Sequence, residues 1–281
     1  GSVNPGIFML LNVPLVHTRW FDDGSRDETC IQRAIDCRGE FWSGGVVFVD
    51  DVLNIRDTVL IGEKVLTIDA GGPVALSFVN PPAQGGLVWN GDADQPMMEV
   101  RNSGGTIIQN LHFYGKPTAR PRSAISLVSQ TAQSNIIIRN CHIGFQFGDN
   151  DFAGHDYTGQ DSLVDGIRIG DTYDSGANGT NDHMVIENCQ IWGCTNAAIR
   201  QGSVQNSMTR VESVNSYQVK YMIQATSSIS IHSSFAAYAT ESVLYTPLLD
   251  DFAQTSGGFI YAFDLQSELC KRYLSMDGNT M

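Results

Sequence analysis

The feature that most constrains this chain is a short phrase written three times between Thr106 and Gly193. It reads TIIQNLHFYG at 106–115, NIIIRNCHIGF at 135–145 and HMVIENCQIWG at 183–193, with a blurred echo, NSMTRVESVNS, at 206–216. In each clear copy mostly apolar residues lead to Asn110, Asn140 or Asn188. An apolar, polar, apolar order then resumes: Leu111-His112-Phe113, Cys141-His142-Ile143, Cys189-Gln190-Ile191. Alternation with period two is strand patterning. Asn is the non-glycine residue that best tolerates left-handed backbone at a sharp bend. A repeat that bends once and recovers its inside/outside order reads as one rung of a parallel β-helix. Stacked rungs would set the three Asn side chains about 4.8 Å apart in a hydrogen-bonded ladder.

Composition agrees with many short strands and tight turns. The 281 residues include 28 glycines, and 42% of the chain is apolar, enough for a long continuous core. A formal net charge of −13 argues against nucleic acid and against an anionic membrane surface as partners. The run IFMLL is too short to span a bilayer and lacks a basic flank. Cys30, Cys37, Cys141, Cys189, Cys194 and Cys270 show no metal-ligand spacing, and Cys141 and Cys189 fall at inward rung positions as buried thiols.

Three regions follow. Residues 1–18 form an N-terminal segment in which Gly1-Ser2 looks like the scar of a removed tag. Residues 19–45 hold a capping helix and its lead-in, and 46–281 form the parallel β-helix, with insertions at 148–164 and 170–182. Asp27 is placed to cap a helix whose first turn carries Glu28 and whose apolar face is Cys30, Ile31, Ala34 and Ile35. An open β-helix end exposes unpaired edge groups, and this helix is its lid. Val46 to Asn102 reads as about three rungs: VVFVDDVLNI with TVLIG, KVLTIDA with VALSFV, and LVWNG with MMEVRN. The far end, after YAFDLQSELCKRYL, shows no comparable lid.

The segment DDGSRDETCIQRAID (22–36), the apolar strand after Gly44-Gly45 and the Asn-bearing rungs together resemble the pectate-lyase-like (pectin-lyase-fold) superfamily. The nearest branch includes phage tailspikes and polysaccharide-degrading enzymes. The resemblance implies an all-β, right-handed, single-stranded parallel β-helix with a short N-terminal helix. It also implies an extracellular or virion-surface protein that acts on polysaccharide, with homotrimeric assembly one expectation. The fold hosts lyases, hydrolases, epimerases and non-catalytic adhesins alike. LVDGI (163–167) is similar to the Asn-Thr-Asp-Gly strand of polygalacturonases, which matches Asp165 to a catalytic carboxylate. One rung later those enzymes carry adjacent Asp residues, where this chain has Thr195 and Asn196; their Gly-His-Gly and Arg-x-Lys segments are absent. VIENC (185–189) departs from the Trp-Ile-Asp-His strand of calcium-dependent pectate lyases. The chain is a standard member of neither group.

The candidate site comes from a second alignment. SAISL (123–127), DGIRI (165–169), AAIRQ (197–201), YMIQA (221–225) and SVLYT (242–246) stack if Ile125, Ile167, Ile199, Ile223 and Leu244 face inward. Ser126, Arg168, Arg200, Gln224 and Tyr245 then share an outward column, with Lys220 and Tyr221 beside it. Stacked arginines repel unless an anion lies between them, and such a pair suits a uronate. Asp165, Asp182 and Glu187 are the local carboxylates that would otherwise neutralise it. A hydrolase would pair Asp165 with Asp171, Asp182 or Glu187. A lyase would neutralise the uronate with Arg168 and Arg200 and take the proton with Lys220, Tyr221 or His155. Trp192, Tyr221 and Tyr245 offer flat faces to sugar rings or are plain packing. His155 and Asp156 sit in the first insertion. The Asp-rich insertions supply turn residues, catalytic carboxylates or oxygen ligands for calcium, although no cofactor is required. His112 and His142 read as stacked surface residues, and a non-catalytic glycan-binding spike or a structural shaft is the competing function.

Overall fold

The computed structural model describes residues 14–24, 26–39, 44–71, 85–128, 132–144, 162–170, 180–202, 209–226, 228–246 and 260–276. Its strands pair in parallel in one 21-stranded sheet wound as a β-helix, with a separate two-stranded sheet of Ala132–Ser134 on Thr180–Asp182. Each turn of the coil contributes one strand to each of three faces. The first face stacks Val46–Phe48, Thr67–Asp69, Ile107–Gln109, Ile137–Arg139, Met184–Glu187 and Thr209–Glu212, then the openings of Ile229–Ala237 and Ile260–Glu268. The second carries Val52–Ile55, Gly86–Trp89, His112–Tyr114 and His142–Gly144, then the opening halves of Gln190–Gln201 and Asn215–Ala225. The third carries Val59–Gly62, Pro96–Arg101, Ser123–Val128, Asp165–Ile169, the closing halves of those two long strands, Ser242–Thr246 and Leu274–Met276.

The bend between the first two faces is where the repeated Asn stands. Asn110, Asn140 and Asn188 have φ of 59°, 52° and 51°, and Asn140 donates its side-chain N–H to Asn110 Oδ1 at 3.2 Å. Below them Asn110 donates to Asp69 Oδ1 at 2.7 Å, so an aspartate begins the ladder. The blurred echo keeps the geometry without the side chain, because Ser213 also lies at φ 54°. The residue after each bend turns inward. Cys141 and Cys189 are buried there, each thiol donating to the carbonyl two residues back at 3.3 Å. Its hydrogen bond with Cys141, followed by burial, pushes the Cys189 thiol well above its ordinary value, which leaves it inert as a nucleophile.

The helix at Asp27–Gly39 closes one end by hydrogen-bonding the first rung as well as by apolar burial. Ile31, Ala34 and Ile35 are fully buried. Gln32 accepts from the Leu60 N–H and donates to the Leu60 carbonyl, both at 2.9 Å. Asp27 accepts from the Asn54 N–H at 2.6 Å. Asp27 therefore serves the edge of the neighbouring strand, which offers an otherwise unpaired donor. The Val46–Asn102 stretch is corrected from three rungs to two. LVWNG and MMEVRN complete the rung that KVLTIDA starts, because Gly86–Trp89 stacks on Val52–Ile55 and Pro96–Arg101 on Val59–Gly62. VALSFV (74–79) lies outside the described residues.

The predicted inward column holds. Ile125, Ile167, Ile199 and Ile223 are fully buried, and Leu244 is 5% exposed. Each such side chain contributes about 1.5–3 kcal/mol by leaving water. Packing this tight explains the glycine of the DGI strand, since a Cβ at Gly166 would lie 2.5 Å from the Ala198 carbonyl oxygen and 2.6 Å from Ile191 Cγ2. We expect Gly166→Ala to cost about 1–3 kcal/mol in denaturant unfolding. An unchanged midpoint would mean that the rungs are looser than described.

Candidate functional site

The third face brings the outward column together in register. Ser126 pairs with Arg168, Arg168 with Arg200, Arg200 with Gln224, and Gln224 with Tyr245. Residues spread over 120 positions of sequence thus lie one above another, about 4.8 Å apart per step. Toward the capping helix the column continues with Glu99, in register with Ser126 and paired to Arg101. The sequence reading did not single out Glu99, whose only signal was its place in MMEVR as an outward residue of a rung assigned one turn too late.

Asp165 is the electrostatic centre of this face. Its carboxylate is fully buried and accepts from Asn196 Nδ2 at 2.7 Å and from the Ala197 N–H at 3.1 Å. Arg168 Nε stands 3.5 Å and Arg200 Nη1 3.8 Å from its second oxygen. The carboxylate therefore separates the stacked guanidinium groups, which is the ion-network alternative weighed above. Burial pushes its pKa up, while Arg168, Asn196, Arg200 and the Ala197 N–H pull it down. Arg168 and Arg200 thus share Asp165 as a common carboxylate in an otherwise acidic chain. Arg168 is buried, whereas the Arg200 side chain keeps 21% of its surface exposed.

Asn196 was noted in the sequence only as a departure from an enzyme pattern. A bulge gives it its position. Between Cys194 and Ala197 the Gln190–Gln201 strand carries one residue more than the next rung, where Val219 and Tyr221 are the partners. Bulges re-aim side chains, and this one turns Asn196 toward Asp165 and, on the following rung, toward Gln224 Oε1 at 2.9 Å. The detectable signal was the extra residue in GCTNAAIRQ.

The remaining candidates separate into groups. Tyr221 and Tyr245 stack with ring centroids 4.3 Å apart and planes at 17°, and Lys220 Nζ lies 5.1 Å from the Tyr221 ring. Of these three, Tyr245 is in register with Gln224 on the neighbouring rung. Glu187 is on the first face, in register with Arg139 and Glu212, and Asp182 is in the small side sheet. The pairing of Asp165 with Glu187 or Asp182 is therefore not assembled: they occupy different strands of the coil cross-section. Trp192 belongs to the second face, where it stacks on Tyr217 at 4.2 Å and is buried, so it is packing and not a platform beside the column. His155, Asp156 and Asp171 lie outside the described residues, as do the other insertion aspartates except Asp182. Among the described residues no group of three His, Cys, Asp or Glu side chains could hold a metal ion.

His112 and His142 stack as expected, with rings 5.5 Å apart, but they are not surface residues: they are 2% and 8% exposed. Tyr114 OH lies 3.0 Å from His112 Nδ1. Burial lowers His112 to about 4, and burial with the neighbouring His112 lowers His142 to about 3. Burial likewise raises Tyr114 to about 12. Outward alternation marked the direction of these side chains correctly but carried no information about what covers that part of the second face.

No protein-family model matches the chain, and no curated protein matches it. Solved structures do. The tailspike protein gp49 of Acinetobacter baumannii bacteriophage Fri1, a capsular polysaccharide depolymerase, superposes with a TM-score of 0.58 at 12% identity over 95% of this chain. This chain spans about half of that tailspike, 48% of its length. PfbA, a surface adhesin of Streptococcus pneumoniae, is similar at 12% identity and TM-score 0.41, covering 94% of this chain and 79% of its own. An alginate lyase from Paenibacillus sp. str. FPU-7 is similar at 14% identity and TM-score 0.39, covering 89% and 97%. At such identities the likeness is one of fold alone, a parallel β-helix.

Proposed function

We propose that this protein binds an acidic polysaccharide along its third face, beside Arg200, Gln224 and Tyr245, and depolymerises it by β-elimination. The carrying observation is the in-register column, which gathers Arg168 and Arg200 around buried Asp165 and leaves the Arg200 side chain 21% exposed. A uronate carboxylate would take the exposed side of Arg200 as counter-ion, which lowers the barrier to removing the C5 proton. Lys220 or Tyr221 would accept that proton. The C4–O bond then breaks as C4=C5 forms, and the departing oxygen takes up a proton. Elimination is favoured over hydrolysis because Asp165 is buried between arginines while Asp182 and Glu187 lie on other strands. Likeness in fold to a capsular polysaccharide depolymerase agrees with this reading. An extracellular or virion-exposed setting and trimeric assembly, with or without calcium, belong to the same proposal.

Incubation with polygalacturonate, alginate and dextran, followed at the ultraviolet wavelength of the unsaturated product, tests it. We expect new absorbance with an acidic substrate and at least a hundredfold loss in Arg200→Ala, of the order of removing one charge-stabilising donor. Reducing ends without absorbance would indicate hydrolysis. Binding without either product would make the protein an adhesin.

A further inference from the structure

We infer that Asn196 is the residue that sets the specificity of the third face for anions, by fixing which end of the Gln224 amide faces outward. This rests on the glycan-binding reading above and deepens it. An amide can usually present either its oxygen or its nitrogen, and the hydrogen-bond network decides which. Here the decision starts at Asp165. Its Oδ1 is an acceptor toward both the Ala197 N–H and Asn196, so Asn196 must turn its NH2 group toward it. The same NH2 has a second hydrogen, and that hydrogen goes to Gln224 Oε1 at 2.9 Å. The oxygen of Gln224 is thereby engaged, and its NH2 is the end left to the ligand. No acceptor among the described residues meets that nitrogen.

The consequence is a surface that offers donors. Gln224 Nε2 stands one rung from the Arg200 guanidinium. A ligand set against donors must bring acceptors, and a carboxylate or sulfate ester brings them with the charge that the arginine favours. A neutral sugar hydroxyl meets the same groups with only one role and no charge. The relay runs through three successive rungs, from Asp165 to Asn196 to Gln224, so discrimination at the surface is set from a buried carboxylate. Asn196 touches no ligand in this scheme; it is a positioning residue.

The test uses the full chain and compares binding of oligogalacturonate and of dextran by titration calorimetry, in wild type, Asn196→Asp, Asn196→Ala and Gln224→Glu. Wild type should prefer the acidic probe. Asn196→Asp can keep its bond to Asp165 only by carrying a proton there, so its other oxygen is an acceptor toward Gln224, draws the Gln224 NH2 inward and turns its oxygen out. We expect it to weaken oligogalacturonate at least tenfold while leaving the weak dextran signal unchanged. Gln224→Glu should do the same by placing an acceptor outward directly, while Asn196→Ala, which frees the amide to turn, should fall between. A merely structural Asn196 would lower both probes together or lower the thermal midpoint without changing their ratio. An unchanged ratio in Asn196→Asp overturns this inference and leaves the third-face reading intact. Absence of acidic-probe binding in wild type overturns both.

Discussion

Lowering the pH from 7 to 5 is expected to remove about 4 kcal/mol of stability through two histidines that take no part in the proposed chemistry. Both are held below their ordinary value of 6.5, at about 4 for His112 and about 3 for His142, chiefly because burial disfavours the imidazolium. Between those values and 6.5 the unfolded chain binds protons that the folded chain refuses, so stability falls as pH falls. At pH 5 each imidazole of the unfolded chain is about 1.5 units below its midpoint, worth roughly 2 kcal/mol per residue. The loss stops growing only below the folded values. Among the described residues the pair is met by Tyr114, which keeps its proton throughout, and by Gln190, the next residue in the same column. Gln190 also shows that the position accepts an amide. The double variant His112→Gln/His142→Gln should therefore fold and show a flatter dependence between pH 7 and 5 in denaturant titrations. Parallel curves for the two proteins would mean that the imidazoles titrate freely in the folded chain.

Removing the Asp165 carboxylate is the second large effect. Asp165→Ala leaves Arg168 buried without this counter-ion and strips acceptors from Asn196 and the Ala197 N–H, and breaking a buried pair in this way costs about 3–5 kcal/mol. Asp165→Asn keeps a neutral acceptor at the same place and isolates the charge. We expect it to retain Asn196 in position yet still lose a large part of the stability, because an amide cannot separate Arg168 from Arg200. Chemical unfolding of both variants decides the matter. A neutral Asp165→Asn would show that the arginines are balanced elsewhere and that Asp165 is a hydrogen-bonding residue only.

These expectations depend on vertical register, which the sequence made legible where its signals repeat. Asn110, Asn140 and Asn188 fix one bend in three consecutive rungs, and the inward isoleucines of the third face fix the strand after the next corner. Arg168 and Arg200 could be stacked on paper for that reason. Register was lost where the repeat is unmarked, and the first rungs have no Asn at the bend, so LVWNG and MMEVRN were placed a turn late and Glu99 was passed over. Burial of outward residues was illegible altogether. The alternation of His112, His142 and Trp192 gives their direction but not their burial. The role of Asn196 was hidden by a one-residue bulge, which shifts the frame of a strand without changing its composition.

The position of a bound acidic sugar on the coil is the decisive measurement. A crystal structure of the protein soaked with an acidic oligosaccharide is predicted to place a carboxylate against the Arg200 guanidinium and the Gln224 side-chain nitrogen, with a sugar ring beside Tyr245. A saccharide found instead on the first or second face, with Arg200 and Gln224 untouched, would contradict it.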